Sequence, residues 1–220
     1  MRSKKPRSTL REYVEAALWA LVLTLILRAF VIQAFRIPSE SMVPTLLVGD
    51  FLFVNKFEYG PKIPFTHVRL PGLRAPRTGD VIVFQFPGNP SQDYIKRCIA
   101  TGGQTVEVRN KVVYVDGRPS KAADAHAYHG DPAVSCGPDV RPFPDDPALV
   151  TCRDNFGPFH IPPGRLFMMG DNRENSNDSR FWGIVPMDYV KGRAMFLYWS
   201  WDGSWIGGHL RWRRLLNLIH

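Results

Sequence analysis

Two serines lie on either side of an acidic residue in residues 37–45 (IPSESMVPT), and they are the first candidates for nucleophilic chemistry. Pro38 and Pro44 restrict the backbone on either side of the serines. A rigid turn of this kind could expose one hydroxyl and aim backbone N–H groups at an oxyanion. Serine-rich turns also form for purely structural reasons. The segment alone therefore leaves a catalytic turn and a plain turn as alternatives.

A catalytic serine needs a base, and histidine is the usual one. The six histidines all lie in loop-like or terminal sequence, and the G-x-S-x-G signature is absent. A lysine within an apolar strand is the other candidate, because desolvation lowers the pKa of an amine. With period two, the face that carries Lys96 also carries Tyr94, Cys98 and Ala100. A solvated strand edge, with Lys96 and Arg97 both in water, is the alternative.

A third polar segment, residues 170–183 (GDNRENSNDSRFWG), follows the apolar strand that ends at Met169. Asp, Asn, Ser and Arg at this density are typical of an ordered loop that bonds to itself. A solvated loop is the alternative, and a calcium site formed by Asp171 and Asp178 is disfavoured because the spacing differs from an EF-hand. His126 and His129 lack a third plausible metal ligand. We therefore expect no metal site.

The N-terminal sequence predicts a membrane anchor. Residues 1–11 carry five basic side chains and no acidic one, and Ala16–Phe35 is a 20-residue apolar run interrupted by Arg28. A helix of that length crosses one bilayer core, and basic flanks stay in the cytoplasm. We predict a basic N-terminus at 1–13, a transmembrane anchor at 14–35 and an extracytoplasmic domain at 36–220. A cleaved signal peptide and a buried helix are the alternatives, but no A-x-A pattern follows the run.

The rest of the chain has the pattern of an antiparallel β domain. Segments rich in Val, Ile, Phe and Tyr, bounded by Gly, Pro or Asn, predict strands at Phe51–Lys56, Asp80–Phe86, Tyr94–Ala100, Thr105–Arg109, Lys111–Asp116, Arg165–Met169 and Arg193–Trp201. A hairpin is expected to turn near Asn110. Residues 119–163 are rich in proline and polar turn formers, and they predict an insertion on the β core and not a separate domain with its own strands. The fold class is therefore mostly β, after a single transmembrane helix.

Three cysteines and the overall charge add to this picture. A domain outside the cytoplasm favours a disulfide between Cys136 and Cys152, worth roughly 3 kcal/mol in a chain-entropy model, with two free thiols as the alternative. Cys98 is predicted to be a buried, inert thiol.

The net charge of +8 would suit nucleic acid or an anionic membrane. Because no nucleic-acid-binding motif is present, we expect the lipid bilayer and not nucleic acid as a partner.

The three polar segments resemble, in the same order, the sequence boxes of bacterial type I signal peptidases: Pro38–Thr45, Tyr94–Arg97 and Gly170–Arg180. The anchor, the strand rhythm and the Trp-rich end agree, so the resemblance covers nearly the whole chain. It implies a membrane-tethered, mostly β serine endopeptidase that needs no metal or organic cofactor. Its substrates would be preprotein signal peptides with small residues before the cut. It would act at the outer face of the cytoplasmic (inner) membrane.

The resemblance also implies roles for individual residues. Ser41 would be the nucleophile and Lys96 the general base, and the Ser41 amide and Ser39 hydroxyl would form the oxyanion hole. The other expected participants are Ser176, hydrogen-bonded to Lys96, Tyr94, packed beside it, and the supporting charged residues Asp178, Arg180, Asp171 and Arg173. Glu40 departs from the family, which often has Gly there. A carboxylate beside the nucleophile would discourage its deprotonation unless it points to solvent or pairs with a cation.

Other functions fit parts of this pattern. A specialised peptidase that matures one pilin-like subunit would carry the same boxes. A self-cleaving Ser/Lys regulator would need a DNA-binding domain to release, and the sequence shows none. A non-enzymatic membrane-tethered β domain would keep a catalytic-looking turn by accident.

Overall fold

The computed structural model describes residues 9–63, 66, 68–120, 141–203 and 208–220. The chain begins there with helix α1, Thr9–Phe30, none of whose residues is buried. Its 22 residues reach about 33 Å, and it is the one helix in the described ranges that is long and apolar enough to cross a membrane. Arg28 lies in its last turn, near the end of the span.

The predicted anchor boundary at residue 35 is wrong, because α1 ends at Phe30. Residues Ile32–Arg36 form strand β1, which pairs antiparallel with β2 (Asp50–Asn55) from Ile32 opposite Asn55 to Arg36 opposite Phe51. The apolar run continues through this segment, but its alternating half-buried and exposed residues are those of a strand. Pairing with a neighbouring strand thus decides its structure.

The remaining elements are short strands, one helical turn and two 3₁₀ turns. They are β3 Val81–Phe86, β4 Asn89–Thr101, β5 Thr105–Arg109, β6 Val112–Val115, β7 Arg118–Pro119, β8 Arg141–Phe143, β9 Asp146–Thr151, β10 Phe156–His160, β11 Arg165–Met169, α2 Ser179–Trp182, β12 Val185–Pro186, the 3₁₀ turn Met187–Tyr189, β13 Val190–Ser200 and the 3₁₀ turn Trp212–Arg214. All seven predicted strands are present, and the bounds of β5 and β11 are as predicted. Asn110 and Lys111 have φ of +47° and +74°, so the predicted hairpin turn between β5 and β6 is confirmed.

All paired strands are antiparallel, which confirms the predicted fold class. A seven-stranded sheet has the order β1-β2-β13-β3-β4-β11-β12, and a four-stranded sheet has the order β10-β5-β6-β7. The hairpin β8–β9 forms a third, two-stranded sheet. Strand β4 lies inside the larger sheet, between β3 and β11. Buried apolar clusters cover both of its faces, so side chains of β4 point into packed protein.

Residues 119–163 contribute strands that the sequence pattern did not predict. Strands β8, β9 and β10 all lie within this stretch, and β10 pairs with β5. Phe143, Phe156 and Phe159 from these strands are buried in one aromatic cluster. These rings supply the apolar surface that short, Pro-interrupted strands need, so the stretch completes the core of the four-stranded sheet.

The cysteines differ in state. Cys98 is a free, fully buried thiol, as predicted, and burial raises its pKa. Cys152 is disulfide-bonded. Its predicted partner, Cys136, lies outside the described residues.

Close backbone packing joins the loop between β1 and β2 to the end of β13. Gly49 has φ of +87°, donates its N–H to Ile37 O and accepts from the Trp201 N–H, both at 3.0 Å. A Cβ at this position would run into the carbonyl oxygen of Trp201. This contact therefore requires glycine both for its backbone angles and for its lack of a side chain.

We predict that Gly49→Ala destabilises the protein more than Gly103→Ala. Gly103 has φ of +91°, but a Cβ there would meet nothing within 4 Å. Each variant places an alanine in a left-handed backbone conformation, which costs about 1–2 kcal/mol. Only Gly49→Ala adds the clash with Trp201. Thermal unfolding in mild detergent measures both. Equal losses would show that the loop can move away from β13 at no cost.

Candidate active site

The turn that carries Ser41 is held by apolar side chains on both sides of it. Ile37, Met42 and Leu46 are at most 2% exposed and belong to one core cluster. Within the turn, Val43 N–H donates to Glu40 O at 3.1 Å and Leu46 N–H to Met42 O at 2.8 Å. Because three buried side chains flank the serine, its hydroxyl has little freedom to shift relative to the sheet.

Lys96 lies on β4, inside the larger sheet and facing this turn. Its side chain is 4% exposed, and Nζ lies 2.5 Å from Ser41 Oγ. The alternative of a solvated strand edge is therefore wrong. The Tyr94 ring centroid is 5.8 Å from Nζ, as expected for a neighbour on the same face. Tyr94 and Cys98 share a cluster, but Ala100 packs in another, because the register of β4 with β11 shifts between Ala100 and Cys98.

Burial lowers the pKa of Lys96 to about 8. The charge of Asp178 opposes this shift, Arg180 reinforces it, and Asp171 opposes it. An ammonium at this position would lose most of its hydration, so the neutral amine becomes accessible near neutral pH. The neutral amine can accept the hydroxyl proton of Ser41 over the short distance between them.

A fully buried ion pair lies behind the lysine. Arg180 Nε and Nη2 donate to the Asp178 carboxylate at 2.9 and 3.0 Å, and neither residue is exposed. Asp178 also accepts from the Gly170 N–H at 3.1 Å and from the Arg180 backbone N–H at 3.2 Å, which begins α2. Burial alone would raise the pKa of Asp178, but Arg180 holds it below its ordinary value. A fixed negative charge therefore faces Lys96.

A second ion pair, between Arg97 and Asp171, joins the loop after β11 to the Ser41 turn. Arg97 Nε and Nη2 donate to the two Asp171 oxygens, each at 2.7 Å, and Thr45 Oγ1 donates to Asp171 Oδ2 at 2.6 Å. Asn172 N–H donates to Ser41 O at 3.1 Å. The contacts of Thr45 and Asn172 were not predicted from the sequence, although the two residues lie in segments 37–45 and 170–183.

The structure places Ser39 beside the nucleophile. Its Oγ lies 3.4 Å from Ser41 Oγ, and its side chain is exposed to the cleft. The Ser41 backbone N–H donates to no group in the described part of the chain. Two donors that could meet an oxyanion are thus close to Ser41 Oγ.

The predicted hydrogen bond between Ser176 and Lys96 does not form. Ser176 Oγ is buried and has no hydrogen-bond partner among the residues the structure describes. It occupies the space where a Cβ of residue 170 would lie, so it packs on the backbone of Gly170. A side chain at position 170 would also meet the carbonyl oxygen of Ser41. Gly170 therefore allows the loop to approach the nucleophile.

Glu40 lines the cleft that contains the dyad and is bonded to two asparagines of the loop after β11. Its side chain is exposed, and Oε2 accepts from Asn175 Nδ2 at 3.4 Å. Its backbone carbonyl accepts from Asn172 Nδ2 at 3.2 Å. The carboxylate that departs from the family pattern is therefore exposed and bonded to a side-chain amide of this loop.

A cleft of about 390 Å³ opens over Ser41 and Lys96. One wall is residues 38–41 and the other is residues 93–96, with Asn175 and Asn177 between them. No group of three or more His, Cys, Asp or Glu side chains that could hold a metal occurs in the described ranges, and His126 and His129 lie outside them. The cleft thus offers a hydroxyl, an amine and hydrogen-bond donors to an extended peptide.

The model of the family described as signal peptidase, peptidase S26, matches residues 10–199. The chain belongs to this family. It is 35% identical to signal peptidase I of Pseudomonas aeruginosa, over 86% of this chain and 72% of that protein. It is 33% identical to signal peptidase I of Aquifex aeolicus, over 87% and 85% of the two chains. It is 37% identical to the probable signal peptidase I-1 of Synechocystis, over 88% and 84%.

Membership of the signal peptidase family confirms two predictions. The protein is a serine endopeptidase, and it cleaves signal peptides from preproteins. The apolar helix α1 and these relatives together support a membrane-anchored protein.

We predict that Lys96→Met makes the protein more stable at pH 7. The pKa of Lys96 is lower in the folded protein than in the unfolded chain, so protonation favours unfolding. This penalty is complete below pH 8 and disappears as the pH rises to about 10.5. It amounts to about 3 kcal/mol at most, and methionine does not incur it.

Thermal unfolding midpoints at pH 7 and pH 10 test this prediction. The advantage of Lys96→Met over the wild type should shrink at the higher pH. Lys191→Met is the matched control, because it loses an ion pair with Asp93 at 2.7 Å and should gain no stability. A Lys96→Met protein less stable than the wild type at pH 7 would contradict a desolvated ammonium.

Proposed function

We propose that this signal peptidase cuts preproteins with Ser41 as nucleophile and Lys96 as general base. The observation that carries the proposal is the 2.5 Å separation of Lys96 Nζ and Ser41 Oγ at a buried position. The neutral amine accepts the hydroxyl proton as Oγ attacks the carbonyl carbon of the scissile peptide bond. The resulting ammonium then donates that proton to the leaving amine. Water releases the acyl group, with Lys96 again acting as base.

The charges around Lys96 suit both halves of this proton transfer. With a pKa of about 8, roughly a tenth of the amines are neutral at pH 7. Asp178 stabilises the ammonium that forms when the serine proton arrives. This attraction offsets part of the cost of charging a buried amine. Arg180 keeps Asp178 ionised. Asp178 and Arg180 therefore act through Lys96 as positioning residues, and Tyr94 covers the amine from the side.

The oxyanion hole in this proposal consists of the Ser41 N–H and the Ser39 hydroxyl. The tetrahedral intermediate places its negative oxygen next to the attacking Oγ, where preorganised donors stabilise it most. Ser39 Oγ is 3.4 Å from Ser41 Oγ, and a hydroxyl can rotate its proton toward a new acceptor. Ser176, by contrast, supports the site by packing on Gly170.

The substrates in this proposal carry small residues before the cut. Tyr94 and Ile95 form the cleft wall next to Lys96, and they limit the space for substrate side chains near the reacting atoms. The resemblance to signal peptidases supports the same preference. Discrimination by such an apolar wall rests on steric exclusion, which rejects larger side chains more strongly than smaller ones.

The proposed location is the outer face of the inner membrane, with the basic N-terminus, residues 1–13, in the cytoplasm. The basic N-terminal residues support this orientation. Phe30 ends the helix and Ser41 follows eleven residues later, five of them in β1. Those eleven residues span at most about 40 Å. The nucleophile therefore lies within that reach of the membrane end of α1, on the side where the substrate's own apolar segment leaves the bilayer.

We predict that kcat/KM for a synthetic preprotein peptide in detergent rises with pH through about 8. The sign follows from the base, because only the neutral amine of Lys96 accepts a proton. Ser41→Ala and Lys96→Arg should both lose nearly all activity while the proteins stay folded. Arginine keeps the charge but stays protonated. Substantial activity in Lys96→Arg would exclude Lys96 as the base.

We predict that Ser39→Ala lowers kcat about 10²–10³-fold with little change in KM. A donor that contacts the oxyanion acts on the transition state and not on the bound substrate. Ser176→Ala is a comparison variant, since its hydroxyl packs on Gly170 and bonds to no residue that the structure describes. If Ser39→Ala keeps the wild-type kcat, its hydroxyl serves only the turn.

We predict that deleting residues 1–30 reduces cleavage of membrane-inserted preproteins far more than cleavage of a short soluble peptide. The deletion keeps β1 and the larger sheet intact. It removes the shared attachment to the bilayer, which raises the effective concentration of the membrane-held substrate. Both substrates are assayed with both proteins, and equal losses would mean that the anchor contributes only to stability.

A further inference from the structure

A group of cations lies near the C-terminal end of α1, and one of them, Lys191, is paired with Asp93 of the cleft wall. Arg28 lies in the last turn of the helix, and a cavity of about 190 Å³ lies beside it. The cavity is lined by three lysines, two amides, one acid and two apolar residues: Lys56, Lys62, Lys191, Gln33, Gln85, Asp188, Ala29 and Val190. We call this cavity the foot site, because it lies where the catalytic domain meets its anchor.

Lys56 fixes the position of the foot site relative to the helix. Its Nζ donates to Arg28 O at 3.0 Å and to Ala29 O at 3.4 Å. These carbonyls carry the partial negative charge of the helix C-terminus. An ammonium has three N–H donors, so one remains for another acceptor.

The cations at the foot site outnumber the acids. Lys56 is repelled by Lys191 and Arg28, and Lys62 is repelled by Arg69 and Lys191. The carboxylates that oppose this repulsion are Asp93 and Asp188. Asp93 is bound to Lys191 at 2.7 Å, and Asp188 is exposed. Of the residues that line the cavity, three are lysines and one, Asp188, is acidic, so cations are in excess there even with Asp93 counted against Lys191.

Mutual repulsion adds to burial at two of these lysines. Burial lowers the pKa of Lys56, and Lys191 and Arg28 lower it further. Burial also lowers the pKa of Lys62, with Arg69 and Lys191 reinforcing the shift. The Lys62 ammonium makes no hydrogen bond or ion pair with any residue that the structure describes. A bound anion would relieve this repulsion and satisfy the remaining donors.

We propose that the foot site binds the phosphate of an anionic phospholipid headgroup. The helix that crosses the bilayer ends at Phe30, so Ala29 and Lys56 at the edge of the site lie at the depth of lipid headgroups. Lysines bind phosphate as point charges, and side-chain amides add neutral donors. A headgroup with net negative charge matches the excess of cations, whereas a zwitterionic headgroup would add a cation of its own to the site. The site requires a membrane end of α1 at Phe30 but not a particular orientation across the bilayer.

Native mass spectrometry of the full chain in dodecyl maltoside tests this site. Dioctanoyl phosphatidylglycerol, dioctanoyl phosphatidylcholine and inorganic phosphate are added in separate arms at equal concentration. We expect one retained phosphatidylglycerol and several-fold lower occupancy by phosphatidylcholine. Lys62→Gln should lower phosphatidylglycerol binding about five-fold, the effect of one cation near an anionic headgroup. Lys62→Arg should bind as the wild type does.

Arg118→Gln is the matched control, since Arg118 is an exposed cation on β7 in the other sheet. It removes the same charge and should leave lipid binding unchanged. Near-ultraviolet circular dichroism verifies that Lys62→Gln is folded. The proposal is overturned if Lys62→Gln binds phosphatidylglycerol like the wild type, or if Arg118→Gln loses as much. It is also overturned if inorganic phosphate binds as tightly as the lipid. Because none of these arms measures peptide cleavage or orientation, their outcome is independent of the proposed catalytic roles.

Discussion

The short contact between Lys96 Nζ and Ser41 Oγ depends on keeping an amine in the interior of a sheet. An ammonium is costly to desolvate, and β4 holds this one at 4% exposure between two neighbouring strands. The surrounding structure limits that cost without abolishing it. Asp178 supplies a facing negative charge, and Arg180 keeps that charge from making the lysine permanently cationic. The net effect of burial and these two charges gives Lys96 a pKa of about 8, close to the pH at which a base must work.

The two partners of this contact come from distant parts of the chain, so other elements must hold them in register. Met42 and Leu46 fix the Ser41 turn to the core, and the sheet fixes β4. The loop after β11 then joins both, through Asp171 to Arg97 and Thr45 and through the backbone of Asn172 to Ser41. Buried, bidentate ion pairs of this kind contribute more to geometry than to net stability, because desolvation offsets most of their attraction.

Much of this arrangement could be predicted from the sequence where local pattern and tertiary structure agree. Alternating apolar residues located the strands, and the apolar neighbours of Lys96 on β4 made its burial one of two alternatives that the structure then decided. The roles of Ser41 and Lys96 came from the resemblance of three separated motifs, since no local rule brings residues 41 and 96 together. These roles stay proposals, although the structure places their side chains in contact.

The wrong predictions share a physical cause, which is that long-range contacts outweigh local pattern. Apolar content could not show that the run after Phe30 leaves the helix to pair with β2. Prolines in residues 119–163 obscured strands that form because their phenylalanines pack together. The register shift opposite Ala100 breaks the period-two face, and the packing of Ser176 on Gly170 depends on how closely two loops approach. None of these distances is encoded in a window of neighbouring residues.

The join between α1 and β1 has a mechanical consequence. Only Val31 separates the two elements, its N–H continues the helix to Leu27 O, and the Lys56 N–H donates to Val31 O, both at 2.9 Å. Such a short, hydrogen-bonded join restricts bending between α1 and β1, so it limits how far the catalytic domain can tilt relative to the helix. Rotation about the helix axis remains, and the cleft sweeps a circle of constant height as the protein diffuses in the plane. A preprotein in the same membrane then has to match only the rotation of the protein about its helix axis, because the tilt and the height of the cleft are already set.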